Sequence, residues 1–140
     1  MEKDKELLLK DLCARSPYGV ICSIYRVDDL NVGWRDEKLS GYFYDGKAFE
    51  FYFGETPISI DNDISKVRPY LRPMSSMTEE ERKEYNDICK NIIDFIDCPK
   101  SEEICFPIIL IDWLNSHHFD YRGLIPMDLA LEAPKDMYNV

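Results

Sequence analysis

The dipeptide Asp45-Gly46 lies between two runs rich in aromatic residues, Lys38 to Tyr44 and Lys47 to Phe53. Both central positions of a type I′ turn need positive φ, which Asp and Gly tolerate, so this spacing predicts a β-hairpin with a two-residue turn. In the return strand KAFEFYF, Phe49, Phe51 and Phe53 fall on one side, with Glu50 and Tyr52 on the other. That alternation suits a strand buried on one face. A phenylalanine row of this kind must be covered by the rest of the chain, and we expect it to pack against Trp113 and Leu114.

The remaining segments read in order. Lys3 to Arg15 predicts a helix, with Leu8 and Leu12, and Leu9 and Cys13, each four apart on an apolar stripe. Pro17 ends it. Tyr18 to Val27 is β-branched and aromatic and predicts a strand. Residues 28–33 read as loop, 54–57 as a turn, Ile58 to Ile60 as a short strand and 61–63 as a turn. Ile64 to Leu71 predicts a last strand that Pro69 confines to an edge or an end. Arg68 to Pro73 reads as a linker stiffened by two prolines.

Thr78-Glu79-Glu80-Glu81 matches the capping box that opens a helix. That helix should reach about Ile96, with Tyr85, Ile88, Cys89, Ile92, Phe95 and Ile96 on one face. Lys100 to Glu103 reads as an exposed loop. Pro107 to Ser116 predicts another helix, since Pro is tolerated at a first helical position. Ile109, Leu110, Trp113 and Leu114 recur on it at helical spacing, so it is expected to be a lid on the core. The 140 residues thus predict one α+β domain. Residues 1–73 supply an N-terminal helix and a small, bent antiparallel sheet or SH3-like half-barrel; residues 74–140 supply two C-terminal helices.

Charge and cysteine usage exclude several classes. Residues 1–73 carry 11 basic and 13 acidic residues, and residues 74–140 carry 6 and 14, so most of the net −10 belongs to the C-terminal half. Such a surface repels a phosphate backbone and disfavours direct nucleic-acid binding, whereas it attracts a basic protein partner. Cys13, Cys22, Cys89, Cys98 and Cys105 are odd in number and form no C-x-x-C pair, which fits reduced thiols rather than disulfides or a zinc knuckle. No stretch approaches the length of a membrane span, and the N-terminus does not read as a signal peptide. The expected location is the cytoplasm.

Three groups of residues carry possible chemistry. Asp112, His117, His118 and Asp120 combine imidazoles and carboxylates within nine residues, the side chains of a small hydrolase or nuclease. Adjacent histidines point to different sides of a helix, however, and no H-x-x-x-H or H-E-x-x-H spacing occurs. The plainer reading places one histidine at a helix C-terminus and has Asp120 cap or pair with Arg122; no metal site or cofactor is expected. Cys13, Cys22 and Cys105 lack any signature of an activated nucleophile. The third group is an aromatic binding surface of Tyr42, Tyr44 and Tyr52, extended by Arg68, Tyr70 and Arg72.

The blocks LLKDLCARSPYGV, VRPYLRPMSSMTEEE and LIDWLNSHHFDYRGLI, followed by LALEAP and MYNV, resemble a group of small uncharacterised proteins. These recur in phages and prophage-like regions of gut bacteria. The match is weakest over residues 23–62. The resemblance implies an accessory protein of a mobile element and carries over no catalytic residue. The favoured expectation is therefore a non-enzymatic module that binds a host or phage protein. The hydrolase or nuclease, and a minor virion or assembly component, stand as alternatives.

Overall fold

A computed structural model describes residues 2–27, 32–54, 56–60, 64–96 and 105–138. The expected loop at 28–31, the turn at 61–63, the loop Lys100 to Glu103 and Cys98 lie outside the described residues. So do the side chains of Ile92, Phe95, Ile96 and Cys105.

Helix α1 spans Glu2–Arg15 and inserts Leu8 and Leu12 fully into the core. Residues Ser16–Tyr18 tighten into a 3-10 turn, so strand β1 begins only at Ile21 and runs to Val27. Strand β2, Val32–Lys38, pairs with β1 along its whole length. The loop expected at 28–33 thus gives up Val32 and Gly33 to this strand, which the sequence does not announce. Both faces of β2 are largely solvated, so its residues need no apolar alternation.

The chain then changes sheets. The Leu39 amide still donates to the Val20 carbonyl of the first sheet at 2.9 Å, while the Ser40 amide donates to Tyr52 of the second, also at 2.9 Å. Ser40 and Gly41 both oppose Tyr52, the two-against-one arrangement of a β-bulge, which bends the strand at this corner. Beyond it lie β3 (Gly41–Tyr44), β4 (Phe49–Phe53) and β5 (Thr56–Ser59), an antiparallel sheet in the order β3-β4-β5. Strand β5 bears out the short strand expected at Ile58 to Ile60 but starts two residues earlier, at Thr56 and Pro57, which were expected to turn.

The hairpin between β3 and β4 is confirmed, but its turn differs. Tyr44 pairs with Phe49, and the bend centres on Gly46-Lys47 rather than on Asp45-Gly46. Asp45 explains the shift: its carboxylate accepts the amides of Lys47 at 2.8 Å and Ala48 at 2.9 Å, an Asx-type turn that replaces part of the main-chain ladder. Those two amides also hold the Asp45 carboxyl below its usual range.

Strand β6 (Val67–Leu71) lies inside the first sheet, whose order is β2-β1-β6-β7, with β7 at Leu131–Glu132. This corrects two expectations: the segment is not a linker, and Pro69 is not in an edge strand. Pro69 is accommodated because two-residue β7 pairs only with Tyr70 and Leu71. The β6–β7 pairing is parallel, so this sheet is mixed.

Two helices complete the chain. Helix α2, Glu79–Ile96, opens with the expected capping box: the Thr78 amide donates to Glu81 Oε1 at 2.9 Å, and the Glu81 amide donates to Thr78 Oγ1 at 3.1 Å. Helix α3 spans Cys105–Ser116. It is not the lid expected. Leu114 is buried, but Ile108, Ile109 and Ile111 are exposed. Successive helical residues turn by about 100°, so a run of four apolar residues cannot all face inward. The core is instead built from α1, both sheets and the C-terminal tail: Leu8, Leu12, Ile24, Phe51, Phe53, Ile60, Val67, Leu71 and Leu124. Phe51 and Phe53 thus face the core as expected, but their cluster includes neither Trp113 nor Leu114.

Candidate functional site

Two regions hold the residues singled out by sequence. The first is a polar knot where α1, β6 and the tail after α3 meet. Arg15 is fully buried. Its Nε donates to Asp11 Oδ2 at 2.8 Å, and its Nη2 donates to the Phe119 carbonyl at 2.6 Å. Asp11, also fully buried, accepts from Arg122 Nε at 3.2 Å as well. Burial pushes the Asp11 carboxyl up, an effect that Arg15 and Arg122 oppose. Tyr121 ties the network to α3 by donating to Asn115 Oδ1 at 2.8 Å.

Arg72, proposed from sequence for binding, belongs to this knot. Its guanidinium grips Glu81 with both nitrogens, at 2.7 and 2.6 Å, and lies 4.3 Å from the Phe119 ring centroid. The paired hydrogen bonds from Arg72, aided by the Thr78 amide, hold the Glu81 carboxyl down to about 2. Arg68 reaches Asp128 at 3.4 Å, and Tyr70 donates to Asp36 at 2.8 Å. Burial, with Asp36, raises the Tyr70 phenol.

Each member of the histidine–aspartate cluster has its own place. Asp112 is exposed on α3. His117 stacks on Trp113 at 4.4 Å, and its Nδ1 lies 2.9 Å from the Trp113 carbonyl. A carbonyl can only accept, so Nδ1 carries the proton, and the imidazole serves the helix C-terminus. His118 follows at φ 63, the left-handed residue that ends the helix. It is only 8% exposed and stacks on Tyr138 at 3.7 Å. Burial, reinforced by Arg15, Arg72, His117 and Lys38, lowers its pKa to about 4. His118 is therefore neutral near pH 7. Asp120 accepts the amides of Leu124 at 2.8 Å and Ile125 at 3.0 Å. It caps a turn, and Arg122 pairs with Asp11 instead of with it. Among the described residues no group of three or more His, Cys, Asp or Glu side chains is arranged to hold a metal ion. Cys22 is buried, which raises its thiol pKa, and burial likewise raises that of Cys13.

The second region is the hairpin. Register places Tyr42 opposite Phe51 and Tyr44 opposite Phe49, so both tyrosines share the phenylalanine face. Tyr44 stacks on Phe49 at 4.5 Å, and Tyr42 lies 6.1 Å from Phe51. Tyr52 sits on the opposite face beside Phe43 and Glu50, so the three tyrosines do not form one surface. Its hydroxyl donates to Glu50 at 3.1 Å, which raises its pKa. Toward the turn the hairpin is open to water on both faces: Tyr42, Phe43 and Tyr44 are 46%, 57% and 52% exposed. Between α1 and the hairpin runs a groove of about 480 Å³ lined by Glu6, Leu9, Lys10, Cys13, Tyr42 and Phe49. Leu9 and Phe49 are not among the binding residues expected from sequence. The four-residue spacing of Leu9 and Cys13 is the signal that puts both on one helix face, without showing what covers it.

No family model, curated protein or solved structure matches this chain. Among the described residues no helix is long and apolar enough to cross a membrane.

Proposed function

We propose that the chain is a non-enzymatic interaction module whose docking surface is β3 and the groove beside it. The observation that carries this reading is the run Tyr42-Phe43-Tyr44, about half exposed on both faces of one strand and bordering an apolar groove. Water-exposed aromatic rings contribute little to folding, whereas their burial against a partner supplies large contact area with few rotatable bonds. From the sequence-derived set the surface keeps Tyr42 and Tyr44; it adds Phe43, Leu9 and Phe49. Arg72 and Asp120 already have internal partners, which argues against reading them as a recognition site or a catalytic pair. The setting, an accessory protein of a phage or mobile element acting in the cytoplasm of its host, rests on the sequence resemblance.

The test is affinity capture from host cells with the wild-type chain and a Tyr42→Ala/Tyr44→Ala variant. A partner retained by the first and lost by the second supports the module. Equal retention by both would overturn the choice of surface.

A further inference from the structure

Resting on the reading of the chain as an interaction module, we propose that β3 binds by strand addition. The partner is an extended peptide segment with apolar side chains at alternate positions.

Among the described residues the two sheets have four edges, β2 and β7 in one, β3 and β5 in the other. Exposed edges invite pairing, and proteins blunt them with charge, proline or short length. Edge β2 carries Arg35-Asp36-Glu37-Lys38 in succession. Edge β5 contains Pro57, and β7 is two residues long. Edge β3, Gly-Tyr-Phe-Tyr, has neither charge nor proline.

Hydrogen-bond phase shows which main-chain groups β3 offers. The Asp45 amide donates to the Ala48 carbonyl, so this pair is of the bonded type. Bonded pairs alternate along an antiparallel ladder, which directs the amides and carbonyls of Gly41 and Phe43 toward β4. Those of Tyr42 and Tyr44 point away from β4, to the open edge. A strand laid there bonds to both residues. Its side chains opposite Tyr42 and Tyr44 enter the same face, above the groove walled by Leu9, Cys13 and Phe49. Apolar residues at every second position satisfy that groove, and the intervening ones lie beside Phe43.

Size and charge select a flexible segment over a second copy of the chain. Four residues offer an edge of about 13 Å at ~3.3 Å per residue. That length suits a short peptide, whereas two folded domains are held together by interfaces of roughly 1,200–2,000 Å². Two chains of net charge −10 also repel one another.

The experiment selects linear eight-residue peptides from a displayed random library against the full chain, then follows the consensus peptide by amide NMR and calorimetry. Strand addition predicts that the Tyr42 and Tyr44 amides shift and become protected from exchange. It also predicts that N-methylating alternate peptide residues weakens binding by about tenfold or more, because those amides can no longer bond. Tyr44→Pro removes one outward amide and should bind about tenfold more weakly than Tyr44→Ala; should the proline variant not fold, the N-methylated peptides decide alone. Indifference to N-methylation, a consensus that maps elsewhere, no enrichment, or a dimer paired through β3 would each overturn strand addition. Loss of cellular partner capture by the double alanine variant, without peptide binding at this edge, would leave the interaction module standing and remove only this mode.

Discussion

The polar knot and the aromatic hairpin differ in how their side chains are used. In the knot, Arg15 is held by Asp11 and the Phe119 carbonyl, Arg72 by Glu81, and Asp120 by two amides, so each of these charges has a partner within the chain. In the hairpin, large apolar rings face water beside an open strand edge. The residue types that suggest catalysis thus perform the structural work, and those that suggest a core are the ones left available. A histidine–aspartate cluster is informative only once the destinations of its hydrogen bonds are known.

That contrast breaks first at Asp11. Asp11→Ala leaves the Arg15 guanidinium fully buried without its carboxylate, which should cost about 3–5 kcal/mol. Urea unfolding is the measurement; a loss under about 1 kcal/mol would mean the pair is far better hydrated than its burial indicates. Phe51→Ala is expected to cost a similar 3–5 kcal/mol by opening a cavity in the shared core, read as a lower unfolding midpoint. An unchanged midpoint would refute the β3–β4 register.

The next effect is pH-dependent. With its folded pKa near 4 against an ordinary 6.5, His118 makes the unfolded chain the better proton acceptor between those values. Its contribution is constant above pH 6.5, falls by about 3 kcal/mol as pH drops to 4, and is flat below. Glu81, held near 2, adds a separate loss that begins only below about pH 4.5. His118→Asn keeps a residue tolerant of positive φ and should remove the first loss alone. If the variant and wild type lose stability in parallel from pH 6.5 to 4.5, His118 is not the titrating group. Phe43→Ala on the hairpin should change stability least, by less than about 0.5 kcal/mol, since its ring is mostly in water.

The parts legible in the sequence were those set by local rules. The Thr78/Glu81 box, the Leu8/Leu12 stripe and the Phe49/Phe51/Phe53 alternation each depend on residues within four positions, and each appears in the structure. Strand β2 lacks an alternating pattern because both its faces are solvated, and the interior position of β6 depends on partners tens of residues away, so no local pattern encodes either. The same holds for Arg15. Its spacing from Asp11 reads as an ordinary surface pair on a helix; only the return of Phe119, 104 residues later, buries it. The binding surface is half legible: Tyr42 and Tyr44 stand out in the sequence, whereas only the pairing of β3 with β4 separates them from Tyr52.

One set of affinities shows whether the hairpin serves partners and the knot serves the fold. Using the partner recovered by capture, calorimetry should compare the wild type, Tyr42→Ala/Tyr44→Ala and His117→Gln/His118→Asn. The tyrosine variant should lose about tenfold or more in affinity, at least ~1.4 kcal/mol, while the histidine variant binds as the wild type does. Unaltered binding by the tyrosine variant, with binding or turnover abolished in a folded histidine variant, would contradict that assignment of roles.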